Sequence, residues 1–162
     1  MKIIYASPKK ILRVYVDSSV VGGAFNKRTA QETRPFWEAV QRGEMVVILS
    51  DVLEKELRKA PERARDYVGT LPESQIERVL STNESDSLAA QYIAENVVGE
   101  SSFDDCAHVA LATIAHADVL VSWNMKHLAN LDRKRGYNSV NMKLGYPQIE
   151  ILTPNMVIYD EI

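Results

Sequence analysis

Short apolar runs alternate with helix-like stretches along this chain, and this alternation is the feature that most limits the folds open to it. The runs are rich in Val, Ile and Leu and stay apolar over most of their length. Such runs predict strands buried on both faces, as in a parallel sheet. We therefore expect an α/β fold in which helices flank a central parallel sheet. The predicted strands are Arg13–Val16, Met45–Leu49, Asp118–Ser122 and Gln148–Leu152.

Helical stretches separate the predicted strands. Each is marked by an apolar face, by a Ser or Asp at its start, or by a proline suited to a first turn. The Pro-containing segment Gly69–Glu73 predicts a loop. The predicted helices are Thr29–Gln41, Asp51–Lys59 capped by Ser50, one opened by Pro61, one running from a cap at Ser85 or Asp86 to Val97, and one running from a cap at Ser101 or Ser102 to His116.

The size and composition of the chain predict one compact domain. It has 162 residues, of which 46% are hydrophobic, enough for one core and too few for two comfortable ones. No linker, repeat or low-complexity tract divides the chain. We interpret residues 1–12 as an N-terminal extension of uncertain structure, because they do not follow the alternation, and residues 13–162 as the domain.

Cysteine content and apolar run lengths limit the compartment. Cys106 is the single cysteine, which excludes an intrachain disulfide and a Cys-rich zinc site and fits a reducing compartment. The apolar pieces near the amino terminus are too short for a secretory core or a membrane span. We expect a cytoplasmic protein with no membrane association.

The balance of charge makes any nucleic-acid binding local. Lys and Arg number 19 against 22 Asp and Glu, so the formal charge is −3 and offers no general attraction for a polyanion. Local basic groups exist, although such runs are more often solvated faces than binding surfaces. They comprise Lys126, Lys27, Arg28, Arg34, the run Arg133–Arg135 and Lys143.

Polar side chains come directly after the predicted strands. In open α/β sheets, binding groups gather beyond the carboxyl ends of the strands, which selects Asp17, Ser50, Ser122 and Asn124. The hydroxyls of Ser18 and Ser19 could orient the Asp17 carboxylate. The alternative is that Asp17 only caps the turn that follows it.

Glu56 interrupts an apolar helix face. At about 100° per residue, Glu56 falls within the face of the predicted helix that carries its aliphatic residues, whereas Glu54 falls outside it. A carboxylate on a core-facing stripe is costly unless it is paired or binds a metal. The alternative is a marginal position in which Glu56 pairs with Lys59 or Arg63.

Two adjacent acids, Asp104 and Asp105, open another predicted helix. Their directions differ by about 100°, so we do not expect both to face one metal. Ser102 and Asp105 also fit a capping box, which is the commoner role for such a pair. His108 and His116 lie on this apolar helix and are expected to be packed.

Four blocks of sequence, taken in order, resemble those of PIN domains. The resemblance extends from about Arg13 to Pro154, and no single block would be specific by itself. It implies a single PIN-like domain with a central parallel sheet, and VapC-type ribonuclease toxins are its best-known members. The blocks are Val14-Tyr15-Val16-Asp17-Ser18-Ser19-Val20, Ser50-Asp51-Val52-Leu53-Glu54-Lys55-Glu56-Leu57, Asp105-Cys106-Ala107-His108-Val109-Ala110-Leu111-Ala112 and Val119-Leu120-Val121-Ser122-Trp123-Asn124-Met125-Lys126-His127.

The resemblance implies a metal site made of oxygen ligands. By position, the family's acidic residues fall on Asp17, Glu56 and Asp105, its Ser or Thr falls on Ser122, and its Asp or Asn falls on Asn124. Carboxylates suit Mg²⁺ or Mn²⁺, which would activate a water for in-line attack on a phosphodiester. The products would carry a 5′-phosphate and a 3′-hydroxyl.

The last block departs from the more acidic members of the family. Asn124 adds no negative charge, and His127 stands where a further Asp is often found. A tightly held second metal is therefore not expected. Supporting or substrate-contacting roles are expected for Ser18, Ser122, Lys126 and His127, and the alternative for His127 is a helix-start residue that covers the sheet edge.

The function implied is a Mg²⁺- or Mn²⁺-dependent endoribonuclease, the toxin of a type II toxin–antitoxin pair. Its partners would be an RNA substrate, a cognate antitoxin and a second copy in a homodimer. One alternative is a housekeeping RNA-processing PIN nuclease. The other is a catalytically silent module for RNA binding or protein interaction.

Overall fold

Parallel strands form a single sheet at the centre of the molecule. The computed structural model describes residues 11–99 and 102–157. The strand order is β3-β2-β1-β4-β5 and every pairing is parallel, which confirms the predicted α/β architecture. The strands are β1 (Leu12–Val16), β2 (Met45–Ser50), β3 (Ile76–Val79), β4 (Val119–Val121) and β5 (Ile151–Leu152).

Seven helices flank the sheet in the described part of the chain. Short 3₁₀ turns at Glu73–Gln75 and Pro154–Met156 precede β3 and follow β5. The helices are α1 (Ser18–Gly23), α2 (Ala30–Gln41), α3 (Asp51–Leu57), α4 (Glu62–Gly69), α5 (Asn83–Ala94), α6 (Phe103–Ile114) and α7 (Leu131–Lys143).

The strands bury opposite faces in two separate cores. In β1, Val14 and Val16 pack with residues of α1, α2, α3 and α4, whereas Tyr15 packs with residues of α5, α6 and α7. This follows from the two-residue period of a strand, which sends successive side chains to opposite faces. The result is a three-layer molecule in which β1 is the middle strand.

Three elements of the fold were not predicted from the sequence. Strand β3 has no fully buried side chain, and α1 spans only six residues. Helix α7 is polar overall and buries only Tyr137, Val140 and Asn141. Local apolar periodicity is weak in all three, so their formation depends on contacts with the rest of the fold.

Several predicted helix boundaries are wrong. The N-cap of α5 is Thr82, which forms a capping box with Ser85, and the helix ends at Ala94 instead of Val97. Ser102 precedes α6 but makes no side-chain capping bond, so the capping box expected with Asp105 does not form. By contrast, Ser50 caps α3 as predicted.

The predicted extension falls mainly on residues 1–10, which lie outside the described residues, so it stays a prediction there. Residue Leu12, which was assigned to the extension, begins β1. Among the helices that the structure describes, none combines the length and the apolar character needed to cross a bilayer.

Candidate active site

Asp17 lies at the carboxyl end of the central strand. It follows β1 where the chain connections diverge, since β2 lies on one side of β1 and β4 on the other. In open α/β sheets, this switch point is where ligands bind. Its side chain is only 5% exposed. Oδ1 accepts a hydrogen bond from N–H of Val20 at 3.3 Å, so Asp17 does cap α1.

Two serine hydroxyls fix the Asp17 carboxylate. Ser19 Oγ donates to Oδ1 at 2.5 Å, and Ser122 Oγ donates to Oδ2 at 2.6 Å. Each hydroxyl also accepts a backbone N–H from the segment after β4, from Trp123 at 2.9 Å for Ser19 and from Asn124 at 2.9 Å for Ser122. The carboxylate is therefore oriented both from α1 and from the end of β4.

Burial makes the charge on Asp17 costly. Desolvation raises its pKa, the negative charge of Glu56 adds to the rise, and His108 with the two serine hydroxyls opposes it. The net pKa is above its ordinary value of 3.8. A cation placed at this carboxylate would relieve that cost.

Glu56 points inward and Glu54 outward, as the helical wheel predicted. The Glu56 side chain is 26% exposed, and its Oε1 lies 2.7 Å from Nε2 of His108. Its partner is thus His108 and not Lys59 or Arg63. Burial raises the Glu56 pKa, but His108 and the hydrogen-bonding groups of Ser18 outweigh it and bring the pKa below 4.5.

His108 connects Glu56 to a buried chain of hydrogen bonds. Its Nδ1 lies 2.7 Å from the Tyr15 hydroxyl, which is 2.7 Å from Oγ of Ser50, the N-cap of α3. His108 is 1% exposed, as expected for a packed residue. Burial lowers the pKa of His108, but Glu56, Asp17 and Asp105 raise it by more than burial lowers it. The net pKa therefore lies above 6.5.

Sequence reasoning missed the role of His108 in positioning a carboxylate. A signal was present, because His108 follows Asp105 by three residues and such residues share a helix face. The other histidine of this region, His116, is exposed with a φ of 55° just after α6. The prediction that His116 is packed is therefore wrong, because the helix ends at Ile114.

Asp105 is half-buried and Asp104 is exposed, so the two adjacent acids do differ in direction. Asn124 Nδ2 donates to Oδ1 of Asp105 at 3.2 Å. Burial raises the Asp105 pKa, whereas His127 and His108 lower it. The negative charges of Asp17 and Glu56 add to the rise, and the net pKa is above 3.8.

Asn124 uses both ends of its amide within the site. Its Oδ1 accepts N–H of His127 at 3.0 Å, and because that partner is a donor, the amide nitrogen faces Asp105. Asn124 in this arrangement positions Asp105 and shapes the turn after β4.

His127 and Lys126 lie in the turn that follows β4. His127 precedes α7 by several residues and is half-buried, so it is not a helix-start residue. Its carbonyl accepts the Tyr137 hydroxyl at 2.9 Å, which anchors the turn on α7. Among the described side chains, its Nδ1 is the buried polar atom without a hydrogen-bond partner. Lys126 is exposed.

Comparison with known proteins identifies the fold. No family model matches the chain, and no curated protein matches it. Solved structures that are similar to it include those of VapC20, VapBC2 and FitAcB. VapC20 of Mycobacterium tuberculosis, described as a sarcin-ricin loop cleaving toxin, is 15% identical, with a TM-score of 0.55 over 70% of this chain and 91% of that one.

VapBC2 and FitAcB are two further structures that are similar to this chain. VapBC2 of Rickettsia felis, bound to a promoter DNA fragment, is 13% identical, with a TM-score of 0.54 over 86% of this chain and 97% of that one. FitAcB of Neisseria gonorrhoeae is 10% identical, with a TM-score of 0.54 over 87% and 97%. The chain has a VapC-like PIN fold.

At the carboxyl edge of this PIN fold, three acids affect one another's pKa values. Asp17 and Glu56 both raise the pKa of Asp105, and Glu56 raises that of Asp17. No group of three or more His, Cys, Asp or Glu side chains within residues 11–99 and 102–157 forms a ready metal site. The donors nevertheless suit Mg²⁺ or Mn²⁺, because both prefer carboxylate oxygens.

Basic residues of the PIN fold divide into engaged and exposed groups. The Arg133 guanidinium donates to the carbonyl of Val97, and Lys143 pairs with Glu95 at 3.1 Å. Lys27 and Arg28, in the loop between α1 and α2, are exposed. The predicted basic patch on α7 is thus partly used in intramolecular contacts.

Proposed function

We propose that this chain is a metal-dependent endoribonuclease that hydrolyses RNA phosphodiester bonds. The observation that carries the proposal is that hydrogen bonds hold Asp17, Glu56 and Asp105 near the carboxyl edge of a PIN fold. These three carboxylates would hold Mg²⁺ or Mn²⁺. Such a site requires an excess of negative charge at the sheet edge, which is costly unless a cation neutralises it.

The surrounding residues have distinct tasks in this proposal. A bound divalent ion would supply Lewis acidity and an activated water. Ser19 and Ser122 hold Asp17, His108 with Ser18 holds Glu56, and Asn124 holds Asp105.

The turn after β4 would meet the substrate phosphate. Lys126 is exposed there, Nδ1 of His127 has no hydrogen-bond partner, and the charge of protonated His127 lowers the pKa of Asp105. The three carboxylates repel a polyanion. Either group could offset this repulsion by donating a hydrogen bond to a phosphate oxygen. His127 and Lys126 therefore serve to position RNA in this proposal.

The toxin reading rests on likeness of fold. Among the similar structures, VapC20 is described as a toxin that cleaves the sarcin-ricin loop, and VapBC2 was solved with a DNA fragment from its promoter. We propose that this chain likewise acts on cytoplasmic RNA, forms a homodimer and is inhibited by a cognate antitoxin. A short neighbouring reading frame whose product restores growth to cells expressing the chain would support this. Growth unaffected by expression would favour a processing nuclease.

Cleavage of structured RNA with Mn²⁺ tests the enzyme activity. We expect Asp17→Asn and Glu56→Gln each to lower the rate by at least about 100-fold, since each removes a ligand charge. Glu54→Gln is the matched control, because Glu54 lies on the same helix but is exposed. Undiminished cleavage by the first two variants, or equal losses for Glu54→Gln and Glu56→Gln, would refute the site.

A further inference from the structure

A groove of about 420 Å³ opens beside the candidate active site. It lies between α1, the loop that follows α1, the start of α4 and the segment after β4. Its volume is within the range of about 300–1,000 Å³ common for small-molecule sites. The residues that matter for its chemistry are Ser19, Gly22, Phe25, Asn26, Arg63 and Trp123.

Trp123 is a preorganised wall of this groove. Its indole Nε1 donates to Oγ1 of Thr33 at 2.8 Å, and that hydroxyl donates to the carbonyl of Thr29 at 2.7 Å. A Cβ on Gly23 would lie 3.0 Å from indole atoms Cδ1 and Nε1, so the glycine allows the ring to pack closely on α1. A ring held in this way loses little entropy when another ring stacks on it.

Phe25 is a second aromatic side chain of the groove, with Arg63 over its ring. Its ring meets Tyr67 edge-on, with centroids 5.9 Å apart. The guanidinium of Arg63 lies 5.3 Å from the Phe25 ring centroid and donates to the Phe25 carbonyl at 3.1 Å. The groove therefore combines two braced aromatic rings with an exposed positive charge at its rim.

The groove begins one side chain away from Asp17. Ser19 lines it, and the same Ser19 hydroxyl donates to Asp17 Oδ1 at 2.5 Å and accepts N–H of Trp123 at 2.9 Å. A ligand bound in the groove would thus sit next to whatever is held at the carboxylates.

We propose that this groove binds one nucleobase of single-stranded RNA, in the nucleotide adjacent to the bond that is cleaved. The inference rests on the proposed ribonuclease function and adds a substrate subsite to it. Aromatic side chains stack on any base through its π-face, and Ser19 and Asn26 add hydrogen-bonding groups at the base edge.

The charges around the groove favour a nucleic acid over an apolar ligand. The segment from Ala24 to Arg34 carries Lys27, Arg28 and Arg34 against Glu32 alone, although the whole chain has a charge of −3. Arg63 adds a further exposed cation at the rim. Phosphates flanking a stacked base would meet this local positive charge.

Filling the groove tests the proposal without disturbing the site. A Cβ on Gly22 meets nothing within 4 Å, so Gly22→Leu should extend into the groove while the helix tolerates it. Gly69→Leu is the matched control, because Gly69 ends α4 and also has open space around it. Trp123→Phe retains an aromatic ring, and Trp123→Ala removes it.

Fluorescence anisotropy measures the affinity of the wild type and each variant for labelled single-stranded RNA octanucleotides, one for each base, in EDTA. Thermal unfolding checks that each variant is folded. We expect Gly22→Leu and Trp123→Ala to weaken binding by about tenfold, Trp123→Phe by less, and Gly69→Leu not at all. Stacking should also quench the fluorescence of Trp123, leaving that of the buried Trp37 unchanged.

Binding measured in EDTA separates this proposal from the nuclease activity. If Gly22→Leu weakens RNA binding but the wild-type protein cleaves no RNA, the subsite is supported and the proposed nuclease activity is refuted. Cleavage with wild-type kcat/KM in Gly22→Leu would refute the subsite alone, as would failure of the wild type to bind RNA at millimolar concentration. A dimer disrupted by Gly22→Leu, with RNA binding unchanged, would assign the groove to a second copy and overturn the proposal.

Discussion

Nε2 of His108 lies 2.7 Å from Oε1 of Glu56, so a buried imidazole on α6 holds a half-buried carboxylate on α3. The Tyr15 hydroxyl holds the other ring nitrogen at 2.7 Å. Both helices are thereby connected to the central strand through hydrogen bonds. Partners of this kind commonly orient a metal-binding side chain from behind.

Replacing His108 should weaken the site without emptying the core. We expect His108→Leu to reduce activity or Mn²⁺ affinity by about 10–100-fold, because Glu56 loses the donor that orients it. His108→Gln, which can still donate to Glu56, should recover part of the loss. The Mn²⁺ concentration that gives half-maximal cleavage, compared across the two variants, checks this. A wild-type value for His108→Leu would show that the bond only stabilises the fold.

Removing the charge of Asp17 should stabilise the metal-free protein as pH rises. Because its folded pKa is above 3.8, the contribution of Asp17 to stability is complete below 3.8 and is lost as pH rises through the folded pKa. Asp17→Asn cannot titrate, so its stability relative to the wild type should increase over that interval, by at most about 1.4 kcal/mol per pH unit.

Urea unfolding in EDTA from pH 4 to pH 8 measures this difference. Asp104→Asn is the control, since Asp104 is exposed at the start of the same helix as Asp105. The free energy of unfolding of Asp104→Asn should run parallel to that of the wild type across this pH range. A difference between Asp17→Asn and the wild type that does not change with pH would show that the Asp17 charge is already compensated.

Mn²⁺ should raise the melting temperature of the wild type. A cation relieves the mutual repulsion of Asp17, Glu56 and Asp105, and at 100 times its Kd it adds about 2.7 kcal/mol, or roughly 5 °C or more. Asp105→Asn should lose most of this rise, and Glu54→Gln should retain it. An unchanged melting curve at millimolar Mn²⁺ would argue against a site formed in the free protein.

A carboxylate at position 124 should make the site more dependent on metal. Asn124→Asp keeps an acceptor for N–H of His127 but places a second negative charge against Asp105, in place of a donor at 3.2 Å. We expect a loss of about 1–4 kcal/mol in EDTA and a larger gain on adding Mn²⁺ than in the wild type.

Asn26→Asp provides a comparison for this change. Asn26 is exposed, and its Oδ1 accepts N–H of Arg28, a bond that Asp can also form. Its stability should therefore change little in either condition. If Asn124→Asp loses no more stability in EDTA than Asn26→Asp, the contact between Asn124 and Asp105 carries little energy.

Apolar pattern made much of the fold predictable. Strands β1, β2 and β4 and helices α2, α3 and α6 were located within a few residues, because their buried side chains repeat with a strand or helix period. Strand β3 was missed because it lies at the sheet edge, where Glu77 can remain partly exposed and bind Arg13 at 2.7 Å. Its pairing with β2 is a tertiary event.

The site shows the same division. The helical wheel indicated that Glu56 and not Glu54 faces inward, and the family spacing favoured Asp105 over Asp104, the more exposed of the two. The partners of these acids had no such local signal. His108 and Glu56 are 52 residues apart, and their contact forms because α3 and α6, which pack on opposite faces of the sheet, meet at its carboxyl edge.

The sequence alone determined the order of buried strands and the place of Asp17 after the first of them, because hydrophobic period and strand ends are local properties. Only the tertiary structure decided what holds Asp17, since Ser122 lies 105 residues away and donates to it across the junction of β1 and β4. Parallel strands bring their carboxyl ends to one edge, and at that edge distance in sequence no longer separates the residues.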